Sequence, residues 1–304
     1  MNKYRIEEFC MTIKNVTVAG GGVLGSQIAF QAAFTGFKVT LYDINDGALD
    51  HAKQLLVSYV PEFEDFYDDG DRADSVIDQM SFSTSLAEAV ADADLVIEAI
   101  PESVKIKVDY YTELSKVAPA KTIFATNSST FVPSQFAEYV DRPEKFLAIH
   151  FANQIWKNNN AEIMGHPGTE DKYLDEVTQF AKDIRMIPFR LYKEQHGYIL
   201  NSLLVPLLDA AQKLWVNGVS DPKTIDKSWM IATGAPQGPF AILDVVGLNT
   251  PYNLALAKAD TDAQSAEIAK ALKAMIDDGK TGAASGEGFY QYPNPAFADP
   301  NFLK

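Results

Sequence analysis

The chain has 304 residues, enough for two domains of ordinary size, and its 47% hydrophobic and 22% charged residues are typical of a globular protein. A formal net charge of −15, from 26 basic and 41 acidic residues, argues against nucleic acid or another polyanion as a partner. The one cysteine, Cys10, excludes an internal disulfide, and no apolar run approaches the roughly 18 residues that a membrane-spanning helix needs.

The chain begins with MNKYRIEEFCM, which lacks the apolar core of a signal peptide, so we expect a short tail and a cytoplasmic protein. A strand follows and ends in the turn Gly20-x-Gly22-x-x-Gly25. Gly20 permits a tight exit from the strand, Gly22 leaves room for a pyrophosphate, and Gly25 lets the next helix pack closely on the sheet. The phosphates would meet the N–H groups at the positive end of that helix, which starts with Val23 and Leu24.

A second strand, over residues 39–42, ends in Asp43, 18 residues after Gly25. A carboxylate at this place accepts hydrogen bonds from the adenosine ribose, and its charge repels a 2′-phosphate. Because no arginine follows Asp43, the pattern predicts NAD(H) rather than NADP(H) as the cofactor. The alternative is a glycine-rich turn in some other strand–helix unit.

The remaining elements alternate in the same way. Helical patterns cover residues 46–59, 85–91, a charged segment ending near 117, 133–139 and 171–184, and strands are predicted at 95–97, 122–125, 146–151, 161–164 and 186–191. This alternation indicates an α/β fold with a Rossmann-type doubly wound, mainly parallel sheet. From Gly197 onward we find only helical patterns, so we predict an NAD-binding domain over 12–196 and an all-helical domain over 197–304.

Ligands of a doubly wound sheet bind at the carboxyl ends of its strands. The side chains there include Glu98 and Glu102, the segment 127–129, His150 late in a strand, and Glu162 twelve residues later. A neutral histidine can take the proton of a secondary alcohol, and a neighbouring carboxylate fixes its tautomer. Hydroxyl and amide groups can hold the alcohol or carbonyl oxygen.

Each of these residues also fits a structural role when it is taken singly. Ser129 could cap a helix, and Glu162 could be a surface acid. His150 could be a hydrogen-bonded core imidazole, and Asn201 a polar residue on a helix. Residue spacing alone leaves both interpretations open.

The sequence resembles the L-3-hydroxyacyl-CoA dehydrogenase family along nearly its whole length, and is most similar to the diketoreductase branch of that family. The segments that carry the resemblance are VTVAGGGVLGSQIAFQAAFTGFKVTLYDIN, DLVIEAIPESVKIK, TIFATNSST, FLAIHFAN, AEIMG, GYILNSLLVPLLDAA, GAPQGPF and GEGFYQY. Together they are far more specific than the glycine turn.

The resemblance implies that His150 is the general acid or base and that Glu162 orients it. It also implies that Ser129 binds the substrate oxygen and approaches the nicotinamide, and that Asn201 completes the contacts to that oxygen. A small 3-hydroxy or 3-keto acyl substrate is implied, without a metal, and so is a homodimer formed through the helical domain, which closes the active-site cleft. Two further positions match cofactor contacts of the family: Glu102 and Lys107.

Three departures from the family concern the substrate or the cofactor. The positions that carry a Ser and a Lys for coenzyme A correspond, by spacing from Asp43, to Tyr59 and Phe66, and residues 62–74 around them hold seven carboxylates and one Arg. The negative charge of such a segment disfavours binding of the CoA phosphates, which proteins normally bind with Lys or Arg. The usual HFFNP is replaced by HFANQIW, which would place Trp156 in the wall of the acyl pocket. Ala284 stands where the family often has a cofactor-contacting Lys.

Three hypotheses follow. The first is an NAD-dependent 3-hydroxyacyl-CoA dehydrogenase, such as a 3-hydroxybutyryl-CoA dehydrogenase. The second is a reductase of β-keto or β,δ-diketo acids or esters without CoA, which the acidic segment favours. The third is a non-catalytic, crystallin-like NAD-binding protein, which would be expected to have lost catalytic residues.

Overall fold

The computed structural model describes residues 13–304, so the predicted N-terminal tail with Cys10 lies outside the described residues. The chain divides into two compact units between Ile199 and Leu200. Among residues 13–304, none of the helices has both the length and the apolar character that crossing a membrane requires.

The first unit is built on one eight-stranded sheet with the order β3-β2-β1-β4-β5-β6-β7-β8. Six strands are parallel, β7 pairs antiparallel with β6, and β8 runs parallel to β7. The prediction of a doubly wound, mainly parallel sheet is confirmed. Its elements are β1 (Asn15–Ala19), α1 (Val23–Phe34), β2 (Lys38–Tyr42), α2 (Asp46–Tyr67), α3 (Gly70–Val76), β3 (Ser81–Ser83), α4 (Leu86–Ala89), β4 (Leu95–Glu98), α5 (Val104–Val117), β5 (Ile123–Thr126), β6 (Phe146–Phe151), β7 (Asn160–Gly165), α6 (Asp171–Asp183) and β8 (Ile187–Leu191).

The central strands are apolar because both faces of the sheet are covered. Side chains alternate between the two faces, so that Leu95 and Ile97 of β4 lie in one core while Val96 lies in the other. The first core also holds Phe30 of α1, and the second holds Tyr111 of α5. The strand order reverses at β1, which has β2 on one side and β4 on the other, and this arrangement leaves a crevice at the strand ends.

Two stretches of the first unit differ from the sequence-based prediction. The helix predicted over 46–59 extends to Tyr67 and includes Pro61, because the apolar face continues through Phe63, whose ring centroid lies 4.5 Å from that of Phe30. The helix predicted near 133–139 was wrong. Two short 3₁₀ turns stand there, separated by Phe136 at φ −120°, a value that does not continue a helix.

The second unit is helical, as predicted, and its strand-like pairing among the described residues is limited to isolated bridges within 282–291. Its apolar core includes Leu208, Phe240, Leu272 and Tyr290. The helices are α7 (Leu200–Val216), α8 (Pro222–Thr233), α9 (Pro239–Val246), α10 (Asn249–Leu256) and α11 (Ala263–Asp277).

Two buried carboxylates tie the loops of this unit to its helices. Asp226, 0% exposed, accepts hydrogen bonds from the backbone N–H groups of Phe240 and Ala241 at 2.8 and 2.9 Å, where α9 begins. Asp244, 1% exposed, accepts from the N–H groups of Phe289 and Tyr290, both at 2.8 Å. Burial raises the pKa of both carboxyls above the ordinary value, and the hydrogen bonds only partly oppose this effect.

Candidate active site

The glycine turn after β1 has the backbone geometry that its sequence predicts. Gly20 has φ +103°, and its N–H donates to the carbonyl of Tyr42 at 2.8 Å. A Cβ at Gly20 would lie 2.4 Å from the carbonyl oxygen of Ala99, and one at Gly25 would lie 1.9 Å from that of Gly20. Glycine is therefore required at Gly20 for the approach of the turn to the residues after β4, and at Gly25 for the approach of α1 to the turn.

Gly22 differs from these two residues because a Cβ built on it meets no atom within 4 Å. It precedes α1, whose first turn carries no acidic side chain. The N–H groups of a helix's first turn have no partner within the helix, so they can receive an anion. Asp43 lies next to this turn, and its Oδ2 accepts the N–H of Gly21 at 2.7 Å. Open space, helix N–H groups and a carboxylate after β2 fit the pyrophosphate and ribose of a dinucleotide.

A cavity of about 300 Å³ opens at these strand ends. It connects the glycine turn with the residues that follow β4 and β5. Because its wall contains backbone N–H groups, carboxylates and hydroxyls, it offers both donors and acceptors to a ligand. The lining residues are Gly22, Val23, Leu24, Gly25, Glu98, Ala99, Ile100, Glu102, Lys107, Asn127, Ser128, Ser129 and Thr130.

Lys107 lies between two carboxylates in the wall of this cavity. Its Nζ is 2.6 Å from Oε1 of Glu98 and 3.1 Å from Oε2 of Glu102, and its side chain is 1% exposed. The hydroxyls of Tyr111 and Thr126 both donate to Oε2 of Glu98 at 2.8 Å. The ammonium predicted to contact the cofactor is thus engaged by carboxylates, and its cofactor contact stays a prediction.

Glu102 connects this ion pair to the loop after β5. It accepts hydrogen bonds from the hydroxyl of Ser128 and from the N–H and hydroxyl of Thr130, the last two at 3.1 and 2.7 Å. Burial raises the pKa of Glu102, but the Lys107 ammonium and these hydrogen bonds outweigh it and hold that pKa below the ordinary value. Glu102 is therefore ionised at neutral pH and fixes the loop that carries Ser129.

Ser129, His150 and Glu162 form a hydrogen-bonded line. Nδ1 of His150 lies 2.9 Å from Oε2 of Glu162, and Nε2 lies 3.1 Å from the hydroxyl oxygen of Ser129. His150 and Glu162 are directly opposite each other in the antiparallel pairing of β6 and β7, and they are 3% and 2% exposed. The structure therefore brings together three of the four residues predicted to be catalytic.

The surroundings of His150 decide where its proton lies. An ionised carboxylate only accepts hydrogen bonds, so we assign the proton of the neutral ring to Nδ1. Nε2 then carries a lone pair that faces Ser129 at the edge of the cavity. A ring held in this tautomer can take a proton at Nε2 and return it, while Glu162 stabilises the imidazolium form.

Asn201 and Ala284 belong to the second unit. Asn201 is half-buried on the first turn of α7, and Ala284 lies in an exposed 3₁₀ turn (Ala283–Ser285). The oxyanion contact of Asn201 stays a prediction.

Two further residues, Tyr198 and Asn127, neighbour the line. Tyr198 is fully buried and stacks on His150 with a 4.6 Å separation of ring centroids. Asn127, after β5, accepts the N–H of Phe151 at 3.1 Å and so joins two strand ends. The strand-end rule could indicate Asn127, but nothing in the local sequence around Tyr198 indicates its contact.

Two residues at the predicted departures, Tyr59 and Trp156, belong to the core of the first unit. Tyr59 is buried, and its hydroxyl donates to the carbonyl of Val23 at 3.1 Å. Trp156 is 3% exposed and packs against Tyr59 and Phe63, with centroids 5.6 and 5.1 Å apart. The expectation that Trp156 lines an acyl pocket was wrong, because α2 covers its ring. Phe66 is 46% exposed.

Known proteins match the chain along most of its length. Residues 15–195 match the family model of the 3-hydroxyacyl-CoA dehydrogenase NAD binding domain, and residues 197–292 match the model of the C-terminal domain of 3-hydroxyacyl-CoA dehydrogenase. The mitochondrial hydroxyacyl-coenzyme A dehydrogenase of Sus scrofa is 33% identical over 288 residues, which cover 92% of this chain and 91% of that protein.

Solved structures give the same picture. A diketoreductase, described for substrate-directed dual catalysis of dicarbonyl compounds, is 54% identical with a TM-score of 0.88, covering 92% of this chain and 99% of that one. The (S)-3-hydroxybutyryl-CoA dehydrogenase of Ralstonia eutropha is 25% identical with a TM-score of 0.77, covering 93% of this chain and 100% of that one.

Proposed function

Because the chain belongs to the 3-hydroxyacyl-CoA dehydrogenase family, we propose that it is an NAD(H)-dependent oxidoreductase that interconverts a 3-hydroxyacyl group and its 3-keto form. The observation that carries the proposal is the line of Ser129, His150 and Glu162 at the strand ends, beside the glycine turn. It joins an acid/base group to a dinucleotide site.

The residues of this line have separate tasks. NAD(H), when bound at the glycine turn, supplies or accepts the hydride. In the reductive direction His150 gives the proton at Nε2 to the substrate oxygen, and Glu162 balances the charge of the ring through Nδ1. Ser129 holds the substrate oxygen, and Asn201 adds a second donor. In the oxidative direction His150 takes the proton of the alcohol at the same nitrogen.

His150→Asn tests this assignment. The variant should lower kcat by roughly 10²–10⁴-fold, the usual contribution of a positioned acid or base, while NADH binding measured by fluorescence stays nearly unchanged. His166→Asn is the control, because His166 lies apart from the line and hydrogen-bonds the carbonyl of Pro143 at 2.8 Å. Turnover that survives in His150→Asn would remove His150 from the mechanism. Measurable NADH-dependent reduction of any β-keto compound by the wild-type chain would exclude the non-catalytic, crystallin-like alternative.

A specific observation favours a substrate without CoA. Coenzyme A brings several phosphate charges, yet residues 62–74 hold seven carboxylates and one Arg. Tyr59, at a position that binds CoA in the family, is committed to the core. The 54% identity to a diketoreductase agrees with this proposal. We therefore favour free β-keto or β,δ-diketo acids or esters over CoA thioesters.

A side-by-side assay separates the two substrate classes. We expect kcat/KM for acetoacetyl-CoA to be no higher than for an acetoacetate ester with NADH. Phe66→Lys supplies the cation that the family has at this exposed position. The variant should therefore raise kcat/KM for the thioester and leave kcat/KM for the ester unchanged. A large preference of the wild-type chain for the thioester would contradict the argument from the acidic segment.

Two further properties are proposed from the sequence. One is a homodimer formed through the helical unit, which is supported by apolar side chains that the single chain leaves exposed, such as Leu203 at 70% and Leu256 at 51%. Leu203→Glu should then lower the mass measured by light scattering toward that of a monomer. The other is a cytoplasmic location, which cell fractionation can test.

A further inference from the structure

Tyr198 has an uncommon backbone conformation for an aromatic residue. Its φ is +54°, and the preceding Gly197 has φ +78°. Glycine adopts the left-handed region freely. A residue with a Cβ is less stable there by about 1–2 kcal/mol, because its Cβ lies close to the following carbonyl oxygen. Such an outlier persists only where surrounding contacts hold it, and it often marks a functional site.

Tyr198 packs against Val132, Ala148 and Met164, and its ring also stacks on that of His150. The two rings are nearly parallel, with an interplanar angle of 18° and centroids 4.6 Å apart. Tyr198 is 0% exposed, so one face of the imidazole is covered by a side chain that has no room to move away. Aromatic stacking at this distance is attractive and directional.

The same turn also reaches the carboxylate partner of His150. The N–H of Ile199 donates to Oε1 of Glu162 at 2.9 Å, while Oε2 of Glu162 binds Nδ1 of His150. Three residues before Ile199, Nδ1 of His196 hydrogen-bonds the carbonyl of Thr130 at 2.8 Å. The segment 196–199 thus contacts the loop after β5, the imidazole and its carboxylate.

We propose that Tyr198 is a positioning residue for His150, and that its ring holds the plane of the imidazole in the orientation that proton transfer at Nε2 requires. This inference rests on the proposed acid/base role of His150. Hydrogen bonds at Nδ1 and Nε2 restrain the ring within its plane, whereas the stacked face of Tyr198 opposes tilting out of that plane. A displacement of about 1 Å at a reacting group can cost on the order of 100-fold in rate.

The ring of Tyr198, rather than its hydroxyl, performs this task. Burial raises the pKa of Tyr198 well above its ordinary value, and the carboxylates of Glu102, Glu98, Glu162 and Glu194 raise it further. The phenol therefore stays neutral across the working pH range. A phenylalanine at this position keeps the stacking face.

Three variants test the proposal through turnover, NADH affinity and thermal stability. Tyr198→Phe should keep kcat within about twofold. Tyr198→Leu and Tyr198→Met remove the aromatic plane and should lower kcat by roughly 10–100-fold, with an unchanged dissociation constant for NADH. Phe180→Leu is the control, because Phe180 is 1% exposed and packs on Phe37, away from His150. It should lower the thermal midpoint without lowering kcat.

The results separate this inference from the proposed function. If Tyr198→Leu or Tyr198→Met kept a normal kcat while His150→Asn was inactive, the positioning role of Tyr198 would be wrong and the proposed function would stand. An active His150→Asn would overturn both. If Tyr198→Phe lost as much turnover as Tyr198→Met, the hydroxyl would be the important group and the proposal would be wrong. Since methionine preserves most of the buried volume, it gives a folded variant if leucine does not.

Discussion

Lys107→Met should destabilise the first unit by about 3–5 kcal/mol, the usual cost of leaving one partner of a buried ion pair behind. Lys107 and Glu98 are each 1% exposed, and their charged atoms are 2.6 Å apart. Methionine fills much of the space of the lysine side chain but carries no charge. The carboxylate of Glu98 then remains in the interior without its cation.

The remaining contacts of Glu98 place the cost toward the lower end of this range. Tyr111, Thr126 and the N–H of Ile100 continue to donate to it at 2.8, 2.8 and 3.0 Å. Adding Glu98→Gln removes the stranded charge, keeps an acceptor for the N–H of Ile100, and gives an NH₂ group from which the hydroxyls of Tyr111 and Thr126 can accept. The double variant should therefore recover about 2 kcal/mol relative to Lys107→Met, a coupling expected of residues in direct contact.

Urea unfolding followed by the fluorescence of Trp156 measures this effect in the first unit. Trp215→Phe and Trp229→Phe in all proteins leave Trp156, whose ring is buried beside Phe63, as the reporter. Lys105→Met is the matched control on the same helix, because Lys105 is 85% exposed and forms an ion pair with the exposed Asp109. Equal unfolding midpoints for Lys107→Met and Lys105→Met would refute the reasoning, and so would a double variant no more stable than Lys107→Met.

The glycine turn and the buried carboxylates give three more expected outcomes. Gly22→Ala should leave the thermal midpoint unchanged, because the added methyl group meets no atom within 4 Å. It should weaken NADH binding in a fluorescence titration, because the methyl group would occupy the space proposed for the pyrophosphate. Unaltered affinity would argue against a pyrophosphate at Gly22. Asp43→Ala should reduce the preference for NADH over NADPH in steady-state assays. The pKa of Asp226 in the folded chain lies above the ordinary value of 3.8, so the folded chain binds this proton more tightly than the unfolded chain does. The free energy of unfolding should therefore fall as the pH rises from 3.8 through the raised pKa of the folded state. Asp226→Asn should flatten that slope in calorimetry, and an identical slope would exclude Asp226 as its source.

The dinucleotide turn could be predicted because steric rules fix its residue types. At Gly20 and Gly25 a Cβ would collide with backbone, so only one residue type fits, and the sequence shows it. The ends of the strands could also be predicted, because short apolar runs bounded by polar or turn residues indicate buried strands. These rules are local, and they do not depend on the rest of the chain.

The contacts that complete the site depend on long-range geometry. His150 and Glu162 meet because β7 reverses direction and pairs in one particular register, which their spacing of twelve residues does not specify. The stacking of Tyr198 follows from a positive φ that no propensity favours for tyrosine. Trp156 was misplaced because the residue order after His150 does not say whether α2 or a ligand covers the ring.

The cross-strand pairing of His150 and Glu162 gives the proposed proton-transfer pair a frame made of backbone. Their relative position is set by the backbone ladder of β6 and β7, and not by the loop 152–159 that joins the two strands. Insertions or substitutions in that loop can change its shape while leaving the ladder in register, whereas a one-residue slip of β7 would turn Glu162 to the opposite face of the sheet. Substitutions at the exposed positions of 152–159 should therefore leave the proposed proton-transfer pair on an unaltered frame.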